Sequence, residues 1–341
     1  MIARGHEVML LCPPEARILA EAARFGVPTQ AAPIGRKNLA GLLALGRLFR
    51  RLQPDVVNTH SSTDTWLAAL ACLVMRRPPP LVRTRHISAP VTPNAASRWL
   101  YAHAATSVVT TGEQLRRSLI EQTGISAERV ISIPTGVDGG RFHPGDRAAA
   151  RRVLDLPAEG LWIGIVATLR SWKGHLYLLE AFAQLQTPGA RLVIVGDGPM
   201  REVLAERVRA LGIGERVVMA GERRDPENWM RAFDLFCLPS YANEGVPQAL
   251  MQAMLCGLPV ITTPVGAIPE IISDGRTGML VPPRDANALA TTIDQLLADP
   301  ARRAALGEAA RLDALARFGY ERMIDRMEAA FSAAIAIGKS A

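Results

Sequence analysis

Residues 244–254 read EGVPQALMQAM. Glu244 stands ahead of an apolar helical stretch, and Gln252 follows eight residues later, close to two helical turns. If Glu244 caps the helix, both side chains reach one cleft. A carboxylate suits sugar hydroxyls as a double acceptor, and it cannot itself hold a phosphate. Phosphate would instead meet the backbone N–H groups at Gly245 and beyond, with the dipole of a helix opening at Pro247 behind them.

A second group is LRSWKG at 169–174, directly after the apolar run LWIGIVA. Arg170 and Lys173 emerge where a parallel strand ends, the place where open α/β sheets bind ligands. Two fixed cations there suit a diphosphate, whose negative charge grows as it leaves. Solvated surface cations are the ordinary fate of Arg and Lys; the position at a strand end favours the functional reading. VGDGP at 195–199 closes the next strand with a tight glycine turn, a weak signal alone. In the first half, His60 and Asp64 follow DVVNTH, while RTRH at 83–86, with Arg85 and His86, ends the next strand. Two histidines at successive strand ends leave an acceptor-side role and a structural role equally open. No HExxH, serine elbow, carboxylate ladder or dinucleotide fingerprint is present, so hydrolase, metal and dehydrogenase chemistry have little support.

These residues need strands to hold them. HEVMLLC, GVPTQAA, DVVNTH, PLVRTR, TSVVTT and RVISIP alternate with amphipathic helical stretches. LWIGIVA, RLVIVG, RVVMAG, DLFCLPS, GLPVITT and GMLVPP repeat the scheme. The pattern predicts an α/β protein of two Rossmann-like domains with parallel sheets, ligands lying in the cleft between them. The boundaries expected are 1–140 and 141–319, with a helix over 320–341 that could pack back on the first domain. Met1 is followed at once by IARGHEV, the end of a helix and then a second strand. The first strand and its glycine-rich turn are missing from this pattern, which predicts a chain begun at an internal Met. The strands flanking the gap must then close up or leave unpaired edges.

The chain has 341 residues and a net charge of +7. Residues 1–140 hold 16 Lys and Arg against 9 Asp and Glu, and residues 141–341 hold 23 of each, so the excess lies in the first half. Much of it surrounds GRKNLAGLLALGRLFRRLQP at 35–54, which reads equally as a core-packed helix with a basic end or as a surface for anionic lipid or an anionic acceptor. Cys12, Cys72, Cys237 and Cys256 lie far apart in apolar runs and read as free thiols of a reducing cytoplasm. No run reaches the roughly 20 apolar residues needed to span a bilayer.

RGHEV, PTGVDGGRF at 134–142, LRSWKG, VGDGP and PSYANEGVPQALMQAMLCGLPVITTPVGAIPEII at 239–272 together resemble the retaining glycosyltransferases of family four, which have the two-domain GT-B fold. The resemblance implies that Arg170 and Lys173 hold the donor diphosphate and that Glu244 binds the transferred sugar. It implies that the Gly245 and Val246 amides meet sugar and phosphates, that Gly196 lies on the nucleotide side, and that His60 lies near the reacting sugar. Asp64, Arg85 and His86 fall on the acceptor side. The base would meet backbone around GERRD at 221–225, beginning at Gly221. The family reacts without a protein nucleophile and needs no metal or other cofactor.

One departure is Gln252, where the family has a second glutamate for the ribose hydroxyls. Its amide still accepts and donates, without charge assistance. The absent first strand is the other, and it raises an inactive sugar-nucleotide-binding fragment as the rival reading. A UDP-sugar 2-epimerase of similar fold is a weaker one. The expected function is sugar transfer with retention to a glycan or lipid-linked acceptor in cell-surface polysaccharide or lipopolysaccharide synthesis. The expected location is the cytoplasm, at the inner face of the membrane through the basic first domain, with no nucleic-acid partner.

Overall fold

The computed structural model describes residues 1–341 apart from 87–90, 93, 243 and 341. Each expected strand run carries a strand. In the first half these are β1 (Leu10–Cys12), β2 (Thr29–Ala31), β3 (Val57–Thr59), β4 (Leu81–Arg85), β5 (Ser107–Thr110) and β6 (Val130–Ser132). In the second they are β7 (Leu161–Val166), β8 (Ala190–Val195), β9 (Val217–Gly221), β10 (Leu235–Leu238), β11 (Val260–Thr262) and β12 (Met279–Leu280). All pairings among them are parallel. The chain forms two compact units, Met1–Pro134 with Met323–Ala341, and Thr135–Arg322.

The first unit holds α1 (Arg17–Arg24), α2 (Leu39–Leu52), α3 (Ser62–Leu73), α4 (Ala95–Trp99) with a π-helical turn over Leu100–Ala104, and α5 (Glu113–Thr123). Asn38 starts α2 by accepting from the Gly41 amide at 2.7 Å, and Gln53 ends it in the left-handed region at φ 43°. The helix buries Leu45, Leu48 and Phe49 and leaves Leu39 and Leu43 exposed beside Arg47 and Arg50. The core-packed face of the sequence reading is therefore present, and the basic residues of the helix lie on its exposed side. The sheet is in two pieces, β1–β2 and β3–β4–β5–β6. Among the described residues no pairing joins β1 to β3. One apolar cluster built from α2 and α3 nevertheless takes Leu11 of β1 and Val57 of β3.

The second unit has one six-stranded sheet in the order β12–β11–β10–β7–β8–β9. Around it lie α6 (Arg147–Val153), α7 (His175–Ala183), α8 (Arg201–Ala210), α9 (Pro226–Ala232), α10 (Gln248–Leu255), α11 (Ala286–Ala298) and α12 (Pro300–Phe318). Every residue of β10 is buried, which is why LFCL reads as a continuous apolar run. Gly164 in β7 is required by packing, because a Cβ there would sit 2.0 Å from the Phe233 ring. Asp234 ties the sheet to α6, accepting from Arg151 Nη2 at 2.6 Å and from the Trp162 amide at 2.7 Å.

The segment TGVDGGRF goes with the second unit. The Val137 amide donates to the Phe318 carbonyl at 2.9 Å and the Tyr320 amide to the Val137 carbonyl at 3.1 Å. The last helix, α13 (Tyr320–Ser340), passes after Arg322 into the first unit. There Ala330 and Ala334 pack on Val82, Val109 and Ile133. Arg4 donates to Asp325 at 2.7 Å and to Glu328 at 2.9 Å. Hydrogen bonds from His6 and then Arg4 hold the Glu328 carboxyl below its usual range. All four cysteines are free, and burial raises Cys72 to about 11 and Cys256 to about 12, so neither is a ready nucleophile. Among the described residues no helix is long and apolar enough to cross a membrane.

Candidate active site

In the second unit, β7 ends in a short 3-10 turn over Ser171–Lys173, with Arg170 extended ahead of it. Gly174 closes the turn at φ 77°, and a Cβ there would lie 1.9 Å from the Pro239 carbonyl. Only glycine lets this turn press against the residues after β10. The closeness has a chemical result: Lys173 Nζ donates to Glu244 Oε1 at 2.7 Å. Ser240 Oγ donates to the same oxygen at 2.5 Å, and Thr263 holds the Ser240 carbonyl from β11's end. Glu244 is 3% exposed, so its charge depends on these partners. The exposed Arg170 guanidinium lies over the Trp172 ring at 5.7 Å. Carboxylate and ammonium thus meet at the ends of adjacent parallel strands, β10 and β7.

The helix behind them starts differently from the sequence expectation. Pro247 is the N-cap of α10 and Glu244 lies three residues before it, in the loop. Glu244 is therefore held by Lys173 and Ser240 and does not cap the helix. Its backbone is fixed by Gly266, at φ 59°, where a Cβ would sit 1.9 Å from the Glu244 carbonyl. Gly245 and Val246 are half-buried beside it. Gln252 lies inside α10, half-buried, and its side chain makes no hydrogen bond among the described residues. Gly196 and Gly221 are brought together at the ends of β8 and β9, the Gly196 amide donating to the Gly221 carbonyl at 2.8 Å. Gly196 is obligatory, because at φ 142° a Cβ would lie 1.9 Å from the Ala167 carbonyl.

His175, the first residue of α7, was not singled out in the sequence. It is 2% exposed, and neither ring nitrogen finds a hydrogen-bond partner among the described residues. Burial, followed by the charge of Lys173, lowers its pKa to about 4, with the Arg170 backbone opposing. It is a neutral imidazole directly behind the Lys173 turn.

In the first unit, His60 and His86 meet at the ends of neighbouring strands β3 and β4. His60 Nδ1 lies 3.0 Å from His86 Nε2, with ring planes 9° apart. Asn58 Nδ2 is 3.2 Å from His60 Nε2, and Thr84 Oγ1 donates to Asn58 Oδ1 at 2.8 Å. Asp64 accepts from the His60 and Ser61 amides at 3.0 and 2.9 Å, closing a capping box at the start of α3. Packing around the rings lowers both histidine pKa values; Asp64 opposes this at His60, and His60 adds to it at His86. Arg85 is buried, its Nη1 donating to the Tyr101 hydroxyl at 2.9 Å. Arg83 Nε donates to that hydroxyl at 3.0 Å. Ser240, His175, Asn58 and Thr84 are the site residues that the sequence did not flag. Ser240 closes the quoted run DLFCLPS, and Asn58 interrupts DVVNTH; a polar residue inside a strand run was the available signal.

The family model described as Glycosyltransferase Family 4 matches residues 1–141, and the one described as Glycosyl transferases group 1 matches 146–313. D-inositol 3-phosphate glycosyltransferase of Stackebrandtia nassauensis is 30% identical over 309 residues, covering 82% of this chain and 68% of that protein. The D-inositol 3-phosphate glycosyltransferase 1 of Catenulispora acidiphila is 33% identical over 344 residues, covering 92% and 80%. Among solved structures, a glycosyltransferase from Rickettsia africae superposes with a TM-score of 0.87 at 20% identity, covering 98% of this chain and 92% of that one. Anabaena HepE in complex with UDP superposes with a TM-score of 0.83 at 22% identity, covering 95% and 92%. The two matched family models follow one another along a chain whose sheets are all parallel: the chain belongs to glycosyltransferase family 4 and is a glycosyltransferase of GT-B fold.

Proposed function

We propose that the protein transfers a sugar, with retention and without a metal ion, from a nucleotide-sugar donor to an acceptor that carries phosphate. The observation that carries the donor half is the Lys173–Glu244 contact of 2.7 Å at the ends of β7 and β10. Lys173 spends one of three N–H donors on Glu244, leaving two for the donor's diphosphate. Arg170, exposed beside it, adds a second cation, and together they stabilise the charge that builds on the leaving group. Glu244 has a second carboxylate oxygen for sugar hydroxyls. Gly245 and Val246 present amides ahead of α10, and Gln252, whose side chain has no hydrogen-bond partner among the described residues, suits the ribose hydroxyls. Gly196 and Gly221 line the nucleotide side through backbone.

Two facts support a phosphorylated acceptor. The relatives are named for D-inositol 3-phosphate, and the whole charge excess falls within residues 1–140. The exposed Leu39 and Leu43 beside Arg47 and Arg50 on α2 favour an acceptor presented at an anionic membrane, as in cell-surface glycan assembly. The test begins with a panel of nucleotide sugars screened for protection against thermal unfolding. The best donor is then assayed with matched acceptors bearing and lacking phosphate, in EDTA, and the product anomer is read by NMR. Inversion, loss of turnover in EDTA, or equal use of both acceptors would each remove the corresponding part of the reading.

A further inference from the structure

We infer that Asn58 is a positioning residue that fixes the tautomers of His60 and His86, so that the pair presents one outgoing N–H, at His86 Nδ1, to an oxygen of the acceptor. This goes beyond the proposed reaction and rests on it for the word acceptor. The geometry is a directed chain. The Thr84 hydroxyl donates to Asn58 Oδ1 at 2.8 Å, which leaves the amide NH2 facing His60 Nε2 at 3.2 Å. That nitrogen must then be the lone-pair nitrogen, so His60 carries its proton on Nδ1. Nδ1 lies 3.0 Å from His86 Nε2, which accepts, and His86 in turn carries its proton on Nδ1.

The rings confirm that this is a hydrogen bond and not a face-to-face stack. Their centroids are 5.3 Å apart with planes 9° from parallel. That spacing is what a 3.0 Å N···N contact plus two ring radii gives for rings lying edge to edge. Among the described residues, Asp64 of α3 is the charged side chain that acts on the pair, and Arg83 and Arg85 belong to β4, the strand that ends before His86. Asp64 is occupied by the His60 and Ser61 amides, and the arginines donate to the Tyr101 hydroxyl, with Arg83 also donating to the Ser61 carbonyl. Among the described residues Asn58 is the side chain outside the pair that hydrogen-bonds to either ring. Reversing the amide would reverse every proton in the chain and turn the pair's outer face from donor to acceptor.

The test uses the full chain labelled with 15N-histidine. Two-bond 1H–15N spectra at pH 8 should show His60 and His86 both as Nδ1–H tautomers. Asn58→Asp places an acceptor opposite His60 Nε2. It should convert His60 to the Nε2–H or doubly protonated form and move the acid limb of kcat/KM for transfer up by about one pH unit. The sign follows from the mechanism: the pair works uncharged, a carboxylate raises its proton affinity, and activity is then lost at a higher pH. Thr84→Val, which frees the amide to turn, should give mixed tautomers. An Nε2–H tautomer at His60 in the wild type overturns the inference, as does an Asn58→Asp spectrum like the wild type's. An unmoved acid limb in a variant whose tautomer has switched also overturns it, since the pair's direction would then not matter to transfer. Failure of the proposed function is separate, appearing as a wild-type protein that transfers to no phosphorylated acceptor.

Discussion

At the residue scale, the site depends on a few polar groups buried where strands end. Glu244→Gln keeps the shape but loses the charge that holds Lys173, and under the proposed function it also weakens the hydrogen bonds to sugar hydroxyls. We expect kcat/KM for transfer to fall by about 100-fold or more, as when a preorganised electrostatic contact is removed, with the fold intact by circular dichroism. His175 makes a different prediction. Its pKa is about 4 in the folded protein against 6.5 unfolded. Between those values the unfolded chain binds the extra proton, so stability falls as pH drops through the window, by about 3 kcal/mol in all. His175→Leu has no proton to gain and leaves no ring nitrogen unpartnered. Urea midpoints at pH 7.5 and pH 5 should diverge for the wild type more than for the variant; equal divergence would show that His175 is not the source. Glu244, Lys173 and Arg170 were legible because their residue types stand at strand ends. Ser240 and His175 were not, because their importance lies in partners, or in missing partners, that only the folded chain brings near. Lys173 and Glu244 are 71 positions apart, and no local pattern couples them.

At the element scale, β7, β8 and β10 were legible because strands buried on both faces read as nearly unbroken apolar runs, and the rest by short β-rich runs alternating with helical stretches. Their pairing was not, and neither the split sheet of the first unit nor the place of β7 beside β10 follows from any run. The glycines that seat the donor loops belong to this scale. Gly174→Ala and Gly266→Ala each combine a positive φ with a Cβ 1.9 Å from a carbonyl, at Pro239 and Glu244 respectively. Each should displace the loop carrying Glu244, so nucleotide-sugar protection against melting should weaken more than the unliganded melting temperature falls. Helix α2 gives the other test. Replacing Arg47, Arg50 and Arg51 by Gln removes about 1 kcal/mol of attraction to an anionic surface per residue. Co-sedimentation with vesicles rich in phosphatidylglycerol should then drop on the order of 100-fold, and wild-type binding should fall with added salt. Binding that ignores both changes would remove the membrane from the proposed function.

At the scale of the whole molecule, the second unit is one uninterrupted segment, Thr135–Arg322, with a single apolar core spanning Val137 to Phe318. The first unit is assembled from two ends of the chain. Its sheet lies in two pieces, and α13 supplies Ala330 and Ala334 to the cluster around Val82, Val109 and Ile133. Ending the chain at Arg322 removes that cover and uncovers apolar strand faces, while every residue of the second unit stays in place. Arg4 and His6 also lose Asp325 and Glu328, contacts that add little because both carboxylates are solvent-facing. We therefore expect the 1–322 chain to lose the cooperative unfolding of the first unit but to keep the melting transition of the second. A 135–322 fragment should fold alone and be stabilised by the same nucleotide sugar as the full chain, because Arg170, Lys173, Glu244, Gly196, Gly221 and Gln252 all lie within it. Neither shortened chain should transfer sugar if His60 and His86 take part in the reaction. Differential scanning calorimetry with and without donor, followed by a transfer assay, separates the cases. Loss of donor protection in the 135–322 fragment would mean that the donor site needs residues of the first unit, and transfer by that fragment would remove the histidine pair from the reaction.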